Sequence, residues 1–535
     1  MYIIRNRRYP VDIWSVKKFG LEEWCKTLFW PVPDWKLRAL YNDVDELYIK
    51  IINEVDSEIG DAFSVIFNLT AEYYVSFINA LMVVEQLRKA GFSIEYSKIA
   101  RHYPELVGGD QSVSSQIMKG FLPRSPSAWE RIRGAARSIL EQGKYHGLDL
   151  SYYFGISHMP HYLCCYYPDR DKQWYAKSHG KNITIIHPRQ LIPKRPFRHA
   201  NNFSENDRVV YRLISGLGKI AEKYNVCLNT FHIDRLQGMT LSCLRSAGDY
   251  IVQIRQLLQL RKQTAILVDG LGNFFKRSLC VAGRREGFRM VGFTHGNTVG
   301  MNRVATFSYV DMAMVDTYVV PTKGSVRLFS KLQGQYRLQY ESKAEVISSD
   351  NDSYKKMWME NRRKQLPPAI KTVMVVECAI TGKVDRDVYY FWPYQVDLIL
   401  RVGKFMSKLG VKTILKRHPD RLAESEGLYD SYFDELMIEP FEQVYKKADA
   451  LFFPYITSTT FGFSLLTNKP IIFFETMLGS VWGELYEPLK KRCRVVPSRL
   501  DAEGRLIFDE DAFVEALQRK PEQPDDEFIR MYMFP

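Results

Sequence analysis

The sequence predicts an α/β protein of two Rossmann-type domains that face each other across a central cleft, with a helical extension at the N-terminus. Three observations carry this expectation. Short apolar, β-branched runs alternate with helix-length segments, the rhythm of parallel strands covered on both faces. That rhythm occurs twice, in halves separated by a polar, charged stretch that ends in Pro367-Pro368. The apolar runs also stop abruptly in titratable, hydroxyl or glycine residues, as strands do at the ligand-collecting carboxyl edge of an open sheet. At 535 residues the chain is too long for one ordinary core. The implied boundaries are an extension over 1–60, a first domain over 61–340, a linker over 341–370, a second domain over 371–520 and a tail over 521–535.

In chain order, the extension interleaves Trp14, Trp24, Trp30 and Trp35 with charge, and helical spacing runs from Leu37 to Val55. This pattern predicts packing onto the main body. Ala62 to Phe67 then reads as a strand, Asn68-Leu69-Thr70 as a turn, Tyr74 to Ala90 as a helix stopped by Gly91, and Ser93 to Tyr96 as a second strand. This βαβ opening lacks the glycine-rich dinucleotide fingerprint, which argues against a nicotinamide or flavin site. A strand from Ile183 runs into His187-Pro188, and helices are expected over 207–224 and 241–260. The strand Thr264 to Val268 delivers Asp269-Gly270, the helix Phe274 to Glu286 follows, and the strand Met290 to Thr294 delivers His295-Gly296. Glycine beside a titratable residue lets a ligand approach the backbone closely. A strand from Val315 to Pro321 closes the first half. In the second half, strands are expected at 372–377, 411–416, 450–454 and 470–474, with helices at 394–409, 441–448 and 459–467. The aromatic tail after Pro521 is expected to cross back onto the first domain.

A formal charge of +13 points to an acidic partner. No basic-aromatic stripe or binding module is present, so nucleic acid is not an expected partner. The pairs and triplets Lys355-Lys356, Arg362-Arg363-Lys364 and Lys490-Lys491-Arg492 make an anionic inner-membrane surface a candidate. No apolar run is long enough to span a bilayer, and Met1 to Arg8 lacks the apolar region of a secretory leader. The eight cysteines are scattered without a CxxC pair, so neither a disulfide framework nor a zinc site is expected, and a cytoplasmic setting fits best.

The chemistry concentrates on two strand ends in the second half. Lys416, Arg417, His418 and Pro419 close one strand, and Thr457, Ser458 and Thr459 close the next before a helix. Cations, an imidazole and a hydroxyl cradle together suggest a phosphate-bearing ligand. Glu377, at the end of the half's first strand, is a candidate for ribose or base contact. Each position has a bland alternative: Asp269 or the hydroxyl cluster as a helix cap, His418 as a buried structural histidine.

Asp269-Gly270, His418-Pro419 and Thr457-Ser458-Thr459, in that order, resemble the three short motifs of bacterial CMP-sugar glycosyltransferases, the sialyltransferases and Kdo transferases of surface polysaccharide synthesis. His295-Gly296 resembles the His-Gly of relatives that include the CDP-glycerol glycerophosphotransferases. The resemblance covers roughly residues 61–480 and departs from the pattern in having one acid where many members have two. It implies a GT-B-like fold and transfer of a 2-keto sugar acid (Kdo or a related nonulosonic acid) from a CMP-activated donor to a saccharide or lipid-linked glycan acceptor. It implies no metal and no cofactor beyond that donor. Lys416, Arg417, His418 and the hydroxyls would stabilise the leaving phosphate, with Pro419, Gly270 and Gly296 shaping the site. His295 would contact the sugar carboxylate or the phosphate. Asp269 would act as general base with inversion or as nucleophile with retention. Glycerol-phosphate transfer from a CDP donor, or a non-catalytic scaffold in a polysaccharide assembly complex, are the alternatives.

Overall fold

The structure is a computed structural model. It describes residues 8–26, 30–55, 57–97, 161–165, 168–186, 203–259, 264–294, 300–303, 311–333, 343–350, 352–380, 391–420, 422–456 and 458–535. Two short strands, β1 (Arg8–Pro10) and β2 (Ser93–Glu95), pair in parallel near the start. The first large sheet comprises β3 (His161–Cys165), β4 (Asn182–Ile186), β5 (Ala265–Asp269), β6 (Arg289–Phe293), β7 (Thr317–Val320) and β8 (Glu345–Ser348). Every pairing in it is parallel, in the order β4-β3-β5-β6-β7-β8. The second comprises β9 (Thr372–Val376), β10 (Lys412–Lys416), β11 (Glu435–Met437), β12 (Ala450–Phe453), β13 (Ile471–Phe474) and β14 (Arg494–Val496). It too is all parallel, in the order β11-β10-β9-β12-β13-β14. The expected α/β architecture with two Rossmann-like parallel sheets is therefore present. In the second sheet the central strands are buried along their lengths: β12 and β13 have no exposed residue. Strands covered on both faces read as continuous apolar runs, which is why the sequence revealed them.

The order reverses between β3 and β5 in the first sheet and between β9 and β12 in the second. Such switch points open a crevice at the carboxyl ends of the flanking strands. Asp269 is the last residue of β5, and Glu377 directly follows β9.

One element departs sharply from expectation. The strand-turn-helix expected over 62–90 is a single 33-residue helix, Ser57–Lys89. A short apolar run has the same appearance in a buried strand and in a helix buried on most sides; length decides, and no Gly or Pro interrupts this segment from Asp61 to Ala90. Thr70, expected in a turn, donates from Oγ1 to the Ile66 carbonyl at 3.0 Å inside the helix. The helix packs with Asp34–Glu54, Thr230–Gln259 and Phe274–Arg285 to form a helical layer on the first sheet. The first half therefore opens with helices, and β2 pairs outside the large sheet. Likewise β8 continues the first sheet into the stretch expected as linker.

The two ends of the chain are exchanged between the halves. At the N-terminus, Trp24 stacks on Trp392 at 5.4 Å and Trp30 meets Phe391 edge-on at 5.2 Å. The Arg505 guanidinium donates to the Cys25 carbonyl at 3.3 Å. At the C-terminus the helix Glu527–Tyr532 reaches back to the first half, as expected. There Gly324 donates to the Met533 carbonyl at 3.3 Å, and a Cβ at Gly324 would lie 2.3 Å from the Tyr532 backbone. A third junction joins Gly300–Arg303 to Ser480–Trp482: Arg303 donates to the Ser480 carbonyl at 3.0 Å and Trp482 Nε1 to the Gly300 carbonyl at 3.0 Å.

Two of the three basic clusters are engaged within the fold. Arg492 is buried and donates to the carbonyls of Ser464, Leu465, Thr467 and Lys469. Lys490 and Lys491 pair with Glu475 and Glu527, and Arg362 pairs with Asp526 at 2.8 Å. Lys355 and Lys356 remain exposed. No described helix is long and apolar enough to cross a membrane.

Candidate functional site

Two sheet edges carry the candidate residues. In the second half, β10 extends its pairing one residue on each side: Glu377 donates to the Lys416 carbonyl at 2.9 Å and Arg417 to the Met437 carbonyl at 2.8 Å. This register brings Glu377, Lys416, Arg417 and His418 together at the edge. Glu377 is buried; its Oε2 accepts from the His418 amide at 3.2 Å and its Oε1 from the Tyr429 hydroxyl. Burial pushes its carboxyl up to about 8, against the pull of the His418 amide and of Arg417. Glu377 thus orients the His-Pro turn from beneath.

His418 is half-buried, with Pro419 next in the turn. Its Nδ1 accepts from the Asp420 amide at 3.1 Å, which puts the ring proton on Nε2. Burial, reinforced by Lys416, holds its pKa below the ordinary value although Asp420 pulls the other way. The neutral ring thus carries its one N–H on Nε2. Arg417 is 7% exposed and pairs with Asp430, whose other oxygen accepts from the Gly427 amide at 3.0 Å. Lys416 is 5% exposed, and its Nζ donates to the Arg417 carbonyl at 2.5 Å. Both cations, expected to face a phosphate, are turned into the fold here; their charge lies behind the His418 turn.

Across the switch point, Ser458 is the N-cap of the helix Thr459–Ser464, its Oγ accepting from the Phe461 amide at 3.1 Å. The capping alternative thus holds for Ser458, whose hydroxyl, accepting from Phe461, retains its own proton to donate. Thr459 is exposed beside it. Thr457, His295, Gly296 and the competing His187-Pro188 lie outside the described residues.

In the first sheet, capping does not explain Asp269. Asn273 caps the helix Phe274–Arg285, its side chain accepting from the Lys276 amide at 2.8 Å. Asp269 is 23% exposed and its oxygens face two lysines: Lys172 Nζ lies 2.6 Å from Oδ2 and Lys276 Nζ 2.6 Å from Oδ1. Burial alone would raise its pKa, but the two ammonium groups outweigh it and hold the carboxylate below the usual range. Gly270 has φ +47°, a left-handed turn that a side chain disfavours, so the Asp-Gly pair is needed to bend the chain directly after β5.

Tyr429, Asp430, Lys172 and Lys276 were not expected from the sequence. Only Lys276 left a signal, as a cation in the first turn of the helix that follows a carboxylate at a strand end. Among the described residues, no group of three His, Cys, Asp or Glu could hold a metal ion.

No protein-family model matches the chain, and no curated protein matches it.

The Glu377 environment makes a prediction. A carboxyl with a raised folded pKa keeps its stabilising protonation below its unfolded value of 4.5 and loses it as pH climbs through about 8. Wild type should therefore lose stability over this window, by on the order of a few kcal/mol from this group. Glu377→Gln, which keeps the shape and an acceptor oxygen, should flatten that slope and be the more stable protein at pH 8. Urea unfolding at pH 6 and pH 8 checks this; parallel slopes for the two proteins would refute it.

Proposed function

We propose that the protein is a glycosyltransferase of GT-B-like architecture that moves a 2-keto sugar acid, Kdo or a related nonulosonic acid, from a CMP-activated donor to a saccharide acceptor in bacterial lipopolysaccharide or capsule synthesis. The observation that carries this reading is the paired edge chemistry. A neutral His418 whose proton is on Nε2 and the Ser458 hydroxyl stand at the carboxyl edge of one sheet, and an ionised Asp269 stands at the switch point of the other.

In this reading the donor phosphate lies over the His418 turn and the helix that begins at Thr459. The bond between the anomeric carbon and the phosphate oxygen breaks, its electron pair leaving with CMP. His418 Nε2–H and the Ser458 hydroxyl donate to the phosphate oxygens as this charge develops, and the buried charges of Lys416 and Arg417 add to the potential behind them. Donors fixed in advance cost no reorganisation at the moment of reaction. Asp269 acts on the sugar from the first sheet, and the resemblance assigns the sugar carboxylate or the phosphate to His295, which lies outside the described residues. The acceptor hydroxyl oxygen forms the new bond to the anomeric carbon, and its proton passes to the departing CMP phosphate. No metal or cofactor beyond the nucleotide-sugar substrate takes part. The exposed Lys355 and Lys356 would favour residence at the inner face of the cytoplasmic membrane, beside a lipid-linked acceptor.

Calorimetric titration of the protein with CMP, CDP, UDP and ADP tests the assignment. Selective binding of CMP is expected. Preference for CDP would redirect the reading to glycerophosphate transfer, and absence of binding to all four would overturn it.

A further inference from the structure

We propose that Lys172 and Lys276 are positioning residues for Asp269: each ammonium grips one carboxylate oxygen, and together they fix how that carboxylate faces the sheet edge before substrate arrives. The strand order produces the clamp. β3 and β5 are neighbours at the switch point, so the helix after β3 (Arg170–Ser178) and the helix after β5 (Phe274–Arg285) each bring a first-turn lysine to the end of β5. Lys172 contacts Oδ2 and Lys276 contacts Oδ1, each at 2.6 Å, and Lys276 also donates to the Asp269 carbonyl at 2.6 Å. Main chain and side chain of Asp269 are thereby tied to the same cation. Lys172 is in turn held by Asp169 at 2.8 Å, the residue that caps its own helix.

Lys172 is 1% exposed and Lys276 12% exposed, so neither contributes to a solvated surface. Burying an ammonium costs several kcal/mol, and a pair of lysines converging on one carboxylate is a costly way to gain stability alone. The other titratable groups that act on the cluster include Asp169, Asp311 and the thiols of Cys164, Cys165 and Cys280. Burial pushes Asp311 up to about 7 while the two lysines hold Asp269 below the usual range, so two carboxyl groups that sense each other are driven in opposite directions. A carboxylate held charged is a poor proton acceptor near neutral pH, and it is suited to opposing positive charge at a reacting carbon.

This inference rests on the transferase reading only for the role of Asp269, and the experiment separates the two. The carboxylate of Asp269, assigned by its loss in Asp269→Asn, is titrated by NMR in carbon-13-labelled wild type, Lys276→Met, Lys276→Arg and Lys172→Met. Transfer from CMP-Kdo is measured across pH on the same proteins. Lys276→Met should raise the Asp269 titration and move the acid limb of the rate profile the same way. It should lower kcat about 100-fold, the scale of a misplaced reacting group, with KM for CMP-Kdo little changed. Lys276→Arg should recover most of both effects. Should Lys172→Met fail to fold, Lys276→Met, at the more exposed lysine, still decides. An Asp269 titration that does not move in Lys276→Met, or a kcat that stays at the wild-type value, overturns the clamp. A shifted titration in a protein that, as wild type, does not transfer from CMP-Kdo leaves the clamp standing and overturns the transferase reading, whereas normal transfer by Asp269→Asn removes only Asp269 from the chemistry.

Discussion

Replacing His418 by alanine is expected to slow transfer about 100- to 1,000-fold, the usual cost of deleting one preorganised donor to a developing oxyanion. The loss should fall mainly on kcat, because the hydrogen bond strengthens as the phosphate takes up charge. Two features of the turn make the expectation specific. The Asp420 amide fixes the tautomer from the Nδ1 side, and Glu377 holds the His418 amide from beneath, so the ring is aimed by the fold and not by substrate. A neutral donor also needs no proton uptake, so the wild-type rate should not rise as the imidazole protonates at mildly acid pH. His418→Gln, which retains an N–H donor, should recover part of the activity. Full activity in His418→Ala would remove the His-Pro turn from the mechanism.

Asp269→Asn is expected to cost about 100- to 1,000-fold in kcat, the scale of deleting one preorganised group that stabilises charge in the transition state. The substitution also leaves two ammonium groups facing an amide. Lys172 keeps its pairing with Asp169, whereas Lys276 retains the Asp269 carbonyl, so the fold should survive with a stability loss below the roughly 3–5 kcal/mol of a fully orphaned buried charge. Measuring kcat beside the urea midpoint separates the two effects. A variant that unfolds like wild type yet has lost transfer places the effect in the chemistry; parallel loss of both would make Asp269 a structural residue.

How much of this was legible beforehand follows from what each segment buries. The central strands of the second sheet, β9, β10, β12 and β13, announced themselves because apolar runs buried on both faces end at polar residues. The edge strands β11 and β14 did not: each has three residues, and Glu435 and Arg494 interrupt any apolar signal. β3 was hidden in the His161-to-Cys165 run, and β8 in a charged stretch that resembles a linker. The helix Ser57–Lys89 was mistaken at its start because a helix surrounded by others loses its polar stripe. Of the site, the strand-end residues Asp269, Glu377 and His418 were visible in place. Their partners were not, since Tyr429 lies 52 residues from Glu377 and Lys172 lies 97 from Asp269. Nothing in local spacing reports such pairings.

The exchanged chain ends have a consequence for how the protein is made. Cys25 and its arginine partner Arg505 are separated by 480 residues. On a ribosome moving at roughly 5–20 residues per second, the Phe391-Trp392 surface that receives Trp24 and Trp30 emerges on the order of 20 to 75 seconds after the tryptophans themselves. Through that interval two large indoles have no native burial, and they are the natural client site for a nascent-chain holdase. Synthesis rate, and not only sequence, then sets the yield of the finished protein, and slower translation of the first half lengthens the exposure.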